Sequence, residues 1–259
     1  MSYVSSMKGT TISHGCSGIL IARDWVLAHG SILDPVLSRS PDFLRFFTVL
    51  NPGDLVTIQT SDLTFEIHRN HSLKKSAKLV AVWRCPLLKE TLDDSLRNFT
   101  FKNQHGFNRL LLSVFLVIKC VNSFEASTET EKAREKNWTF CRGNNELLSE
   151  RESDKTKIEQ ILFRLVKQAA IGKLTKGAIV ELISTPFGNP FFIDCMSQGI
   201  VGNLLGVNQC LILIDVTNFP GCEGSPIFLT SYFRPSFFFE IIFSFRVSST
   251  LFFRLIYKW

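Results

Sequence analysis

Apolar residues in this chain fall in short runs punctuated by glycine, proline, asparagine and charge, a pattern of buried or half-buried strands rather than long helices. Ile19-Leu20-Ile21 and Trp25-Val26-Leu27-Ala28 flank a turn at Arg23-Asp24, which predicts a hairpin. Val56–Thr60 and Leu63–Ile67 alternate apolar and polar positions, as strands with one buried face do. Lys78–Trp83 and Arg109–Lys119 are further strands, the second the most apolar of the chain. Between its two basic ends that second run is far shorter than the ~20 residues a membrane-spanning helix needs, so it reads as a buried strand.

The pattern changes at Asn122. Residues 123–160 carry charges of both signs with poor apolar periodicity, and they predict a surface insertion or linker between two units, with room for a helix over 150–167. Strands resume at Gly177–Ser184. Residues 200–205 and Cys210–Asp215 supply two more, and an apolar strand follows Pro226. The expected organisation is therefore a first barrel over 10–122, a linker over 123–160 and a second barrel over 161–228. The last stretch, 229–259, is different. It has no glycine, asparagine or aspartate for tight hairpins, and nine of the chain's 24 phenylalanines fall between Phe228 and Trp259. It is expected to lie outside the fold and to leave the second barrel incomplete.

Four motifs stand in order across 45 residues: Pro186-Phe187-Gly188, Ser197-Gln198-Gly199-Ile200-Val201, Ile214-Asp215-Val216, and Pro220-Gly221-Cys222-Glu223-Gly224-Ser225-Pro226. Upstream, Gly15-Cys16-Ser17-Gly18 leads into a strand, a turn and Trp25-Val26-Leu27-Ala28. This order resembles the trypsin-like serine proteases of the HtrA/Deg type, including the peroxisomal leader-peptide-processing proteases. The resemblance implies a mainly β, trypsin-like (chymotrypsin/HtrA) double β-barrel. It also implies peptide or protein substrates and a peroxisomal address. The full triad of such a protease would lie in a further half, with this chain resembling the degenerate N-terminal one.

The resemblance also assigns site positions, and each is altered. The nucleophilic serine of the family follows Pro-Gly-x, where this chain has Glu223. A carboxylate has no hydroxyl to activate, and its charge opposes an oxyanion held by backbone N–H groups at the glycine and at the nucleophile. Ser225 lies two residues on, roughly 6–7 Å along an extended chain. The family's histidine falls at Ser31, whereas His29 is the nearest histidine; His14 is more remote. The family's acid begins an apolar strand, and the string Arg84-Cys85-Pro86-Leu87-Leu88-Lys89 puts Arg84 there. A guanidinium cannot accept a hydrogen bond from an imidazole. Asp93 and Asp94 follow on a polar connection. No intact catalytic set is expected, with His29 and Ser225 as the residual candidates and Cys222 as a thiol alternative.

The remaining chemistry is mostly exclusion. Net charge is +6, but the densest basic stretch, His68–Lys78, lacks interleaved aromatics and reads as a solvated loop, so no nucleic-acid partner is expected. Seven scattered cysteines without a C-x-x-C pair argue against a disulfide framework and against zinc, and they fit a reducing compartment. No metal, nucleotide or other cofactor is expected: His/Cys spacing is wrong for a metal, and Gly199, Gly202 and Gly206 match no phosphate-binding loop. The N-terminal residues lack an apolar signal region, and the chain does not end in Ser-Lys-Leu. Apart from the peroxisomal address, a cytoplasmic location is expected, without a transmembrane segment. Two functions remain: a processing endopeptidase by lineage, or a catalytically silent module that binds peptides or a protease partner, with self-association open.

Overall fold

A computed structural model describes residues 2–7, 14–22, 24–37, 40–58, 63–69, 73–95, 109–121, 154–169, 174–229, 240–242 and 250–253. The chain is mainly β, with two antiparallel sheets that are compatible with the expected double β-barrel.

The first sheet contains β1 (Ser2–Met7), β2 (His14–Ala22), β3 (Trp25–His29), β4 (Leu55–Thr57), β5 (Thr64–Arg69), β6 (Leu73–Arg84) and β7 (Val114–Cys120). Its order is β4-β6-β5-β1-β2-β3-β7, and a further pairing of β6 with β7 closes the ring. The barrel therefore begins at Ser2, before residue 10. The long strand β6 makes closure possible: residues 73–78 pair with β5 while 77–84 pair with β7.

These strands are apolar on both faces, and the alternation explains why. Val26, Ala28, Val82, Leu116 and Ile118 join Phe65, Ile67 and Leu79 inside the barrel. Trp25, Leu27, Ala81, Trp83, Phe115 and Val117 point the other way into a second cluster. Leu37 of α1 (Asp34–Leu37) and Phe47 of α2 (Pro41–Val49) pack with the inner cluster, whereas α3 (Pro86–Ser95) and α4 (Asp154–Ala169) cover that outer face. Ile158, Ile161 and Leu162 of α4, spaced three and four apart, pack on the outer cluster with Leu87, Leu88 and Leu92 of α3. Ser40 precedes α2 in an extended conformation and Pro41 opens it, a start proline favours because its missing N–H has no partner there anyway.

Two sequence expectations change in this half. The basic stretch His68–Lys78 is strand rather than loop over the ends of β5 and β6, with Lys74 paired to Glu66 at 2.7 Å. Asp93 and Asp94 lie on α3, not on an irregular connection.

The second sheet is a closed barrel of β8 (Ile179–Ser184), β9 (Cys195–Leu205), β10 (Leu211–Asp215), β11 (Pro226–Leu229), β12 (Glu240–Ile242) and β13 (Thr250–Phe253), in the order β10-β13-β12-β11-β8-β9. Leu182, Val201, Ile212, Ile214 and Ile227 fill it. The register breaks between Leu213 and Ile214 opposite Gly202, a bulge of the kind a strand glycine permits. The expectation of an incomplete barrel and a tail outside the fold is corrected here, because β12 pairs with β11 and β13 with β10. Residues 230–239 and 243–249 separate these strands, intervals longer than the two-residue turns that demand glycine or asparagine. No helix among the described residues is long and apolar enough to cross a membrane.

Candidate functional site

The two barrels meet where β2 touches the loops of the second barrel. Ser17 is the pivot: its N–H and its hydroxyl both donate to the carbonyl of Gly221, at 2.9 and 3.0 Å, and its hydroxyl accepts from the N–H of Thr185 at 3.0 Å. The Pro186–Gly188 turn and the loop from Pro220 to Ser225 close over this seam. Gly221 and Gly224 have φ of +93° and +82°, and a Cβ on either would strike backbone, at Gly188 and at Ser17 respectively. Glycine is required twice here, for conformation and for space.

The carboxylate of Glu223 folds back on its own loop. Its Oε2 accepts the Gly221 N–H at 2.7 Å, and the N–H of Glu223 itself also favours the charge. These are the two N–H positions that the family resemblance assigns to an oxyanion hole. The Glu223 carboxylate therefore sits on a backbone donor that the resemblance assigns to that hole. Burial outweighs both donors and pushes the Glu223 carboxyl up to about 7.

His29 is fully buried at the end of β3, paired in register with Phe115 of β7. Its Nδ1 lies 2.8 Å from the Ser31 hydroxyl and accepts the Ser31 N–H at 3.3 Å. Burial lowers its pKa to about 3, with the backbone of Leu112 and Leu111 acting in the opposite sense. The ring is a neutral core histidine capping the turn Gly30–Leu33. A general base works best with a pKa near the operating pH, and burial moves this ring away from it.

Ser225 is also fully buried. Its N–H donates to the carbonyl of Cys222 at 3.1 Å, and its hydroxyl has no hydrogen-bond partner among the described residues. The fold brings the loop to the backbone of His29, since a Cβ on Gly224 would lie 3.3 Å from the His29 nitrogen. No hydrogen bond joins the Ser225 hydroxyl to the imidazole. Cys222 is buried too, and desolvation raises its thiol to about 11, which disfavours the thiolate that a nucleophile needs.

Arg84 ends β6 rather than beginning a strand, because Pro86 starts α3. Its guanidinium donates to the carbonyls of Leu50 at 2.7 Å and Phe47 at 2.9 Å, with a longer contact to Leu110 at 3.4 Å. It caps the C-terminal end of α2, a structural task. The residue before the apolar strand beside β3 is Ser113, buried and preceding Val114. Arg84 therefore does not stand at the start of a strand, where the resemblance expects an acid. The alternative string Ser113-Val114-Phe115-Leu116 could have been found as a strand-initial polar residue. The proline of Arg84-Cys85-Pro86 was the signal against a strand.

Among the described residues no group of three His, Cys, Asp or Glu side chains converges as a metal site would. No family model matches the sequence, and no curated protein matches it. The structure superposes on the solved structure of GrC over 98% of this chain and 87% of that one, with a TM-score of 0.44 and 10% identity, a likeness too distant to carry an argument.

Proposed function

We propose that this chain is a catalytically silent trypsin-like module that engages peptide or protein partners without cleaving them. The observation that carries this reading is the Glu223 carboxylate seated on the Gly221 N–H. An oxyanion forming there would have to displace this side chain from its donor. His29 and Ser225 support the same reading, being buried and not hydrogen-bonded to each other. The ordered motifs shared with the HtrA/Deg type support a lineage of processing endopeptidases. On that reading the module serves leader-peptide processing in the peroxisome, with cleavage carried by a further half or by a protease partner.

The test is active-site labelling with a fluorophosphonate probe on folded protein, alongside Ser225→Ala and His29→Ala. The expected result is no labelling above that of heat-denatured protein. Labelling abolished by both substitutions would overturn the reading and make the chain a protease in its own right.

A further inference from the structure

We propose that the groove between β4 and α4 is a docking site for an extended peptide, which adds as a strand to the outer edge of β4 and inserts one bulky apolar side chain over Trp83. The groove encloses a cavity of about 390 Å³. Its lining comes from Leu55 and Val56 on β4, Trp83 on β6, and Leu162 and Phe163 on α4. Trp83 and Leu162 are buried, while Phe163 is 48% exposed at the mouth. The space suits a phenylalanine- or leucine-sized group against Leu55, Trp83 and Leu162, with Asp54, Lys155 and Glu159 also in the lining.

The backbone of β4 says what chemistry would accompany that group. Asp54 accepts from the Arg84 N–H at 3.3 Å, and the Ile58 N–H donates to Val80 at 2.7 Å. Antiparallel pairing alternates, so Asp54, Val56 and Ile58 turn their backbone groups toward β6. Leu55 and Thr57 therefore turn their N–H and C=O groups to the opposite edge. Among the described residues no strand pairs there, since β4 ends the order of its sheet. Another strand is the partner that matches both a donor and an acceptor at this spacing. A strand added about 4.8 Å from β4 would project alternate side chains to the face that carries Leu55 and Trp83, which is the face α4 roofs.

The proposal rests on the reading of this chain as a binding module, yet the two fail separately. Fluorophosphonate labelling tests hydrolysis at the other site, and the test below tests only the groove. A panel of dye-labelled seven-residue peptides, alternating threonine and valine about a varied central residue, is titrated by fluorescence anisotropy, with mass spectrometry to verify that each peptide stays intact. Central phenylalanine or leucine is expected to bind with Kd below about 1 mM, at least tenfold tighter than central aspartate. Thr57→Pro removes the outward N–H at an edge position where proline is tolerated. It is expected to weaken binding at least tenfold with an unchanged melting temperature, and Phe163→Glu to do the same. No binding by any member of the panel would overturn the proposal. So would binding indifferent to Thr57→Pro, or free indole binding that is lost in Phe163→Glu while peptide binding is retained.

Discussion

The N–H of Gly221 donates to the carboxylate of Glu223 at 2.7 Å, two residues along the same loop. A backbone donor that could stabilise developing charge on a bound substrate is committed to a carboxylate supplied by the chain itself. Gly221 and Gly224 hold the loop at positive φ while the carboxylate covers that donor.

Burial, which outweighs that contact, gives the Glu223 carboxyl a pH signature. The folded chain holds the Glu223 proton up to about pH 7, whereas the unfolded chain releases it near 4.5. The folded state binds more protons in between, so this group's stabilising contribution is full below about pH 4.5 and is lost as pH rises through 7. Glu223→Gln is expected to flatten the dependence of melting temperature on pH between about 5 and 8 relative to the parent. Parallel curves for the two proteins would contradict the buried carboxylate.

His29 works in the opposite direction. Its folded pKa of about 3 lies below the unfolded value of 6.5, so the stability from keeping it neutral is present above pH 6.5 and drains away as pH falls toward 3. The C2 proton resonance of His29 is expected to hold its neutral shift down to about pH 4. A midpoint near 6.5 would mean a solvated ring, free to act as a base.

Ser17 joins the barrels through three hydrogen bonds, two donated by its own groups and one accepted from Thr185. Ser17→Ala strands the Thr185 N–H in a buried seam, at a cost of about 1–3 kcal/mol. Urea denaturation gives the magnitude. A change below about 0.5 kcal/mol would show that water replaces the hydroxyl without loss.

Arg84 satisfies two carbonyls at the end of α2. Arg84→Leu keeps an apolar stem but leaves both acceptors buried, and a loss of about 3 kcal/mol is expected, since bonds from charged donors are worth ~1.5–3 each. Arg84→Lys recovers only part of it, because an ammonium cannot reproduce the planar fork that reaches Leu50 and Phe47 together. Equal stability of the lysine and arginine proteins would argue against the forked cap.

Cys222 carries a thiol raised to about 11 in a buried loop beside Glu223. Iodoacetamide at neutral pH is expected to alkylate it only after unfolding, as read by peptide mass mapping. Rapid modification in the folded protein would reopen the thiol as a nucleophile.

The alternation of apolar residues and the ordered glycine loops determined the mainly β class and most of the strands, because period-two burial and left-handed turns leave local marks in sequence. That Glu223 stands where the resemblance expects a serine was legible in the sequence alone. Other features are set by partners far apart in the chain. The Phe-rich tail closes the second barrel because β13 finds β10 across nearly forty residues, a pairing no local pattern encodes. Arg84 is a helix cap rather than a broken triad member because α2, thirty-odd residues earlier, presents its carbonyls there. That His29 faces the core and that the Glu223 carboxylate turns onto the Gly221 N–H were decided by burial and by backbone donors, which exist only once the barrels are closed.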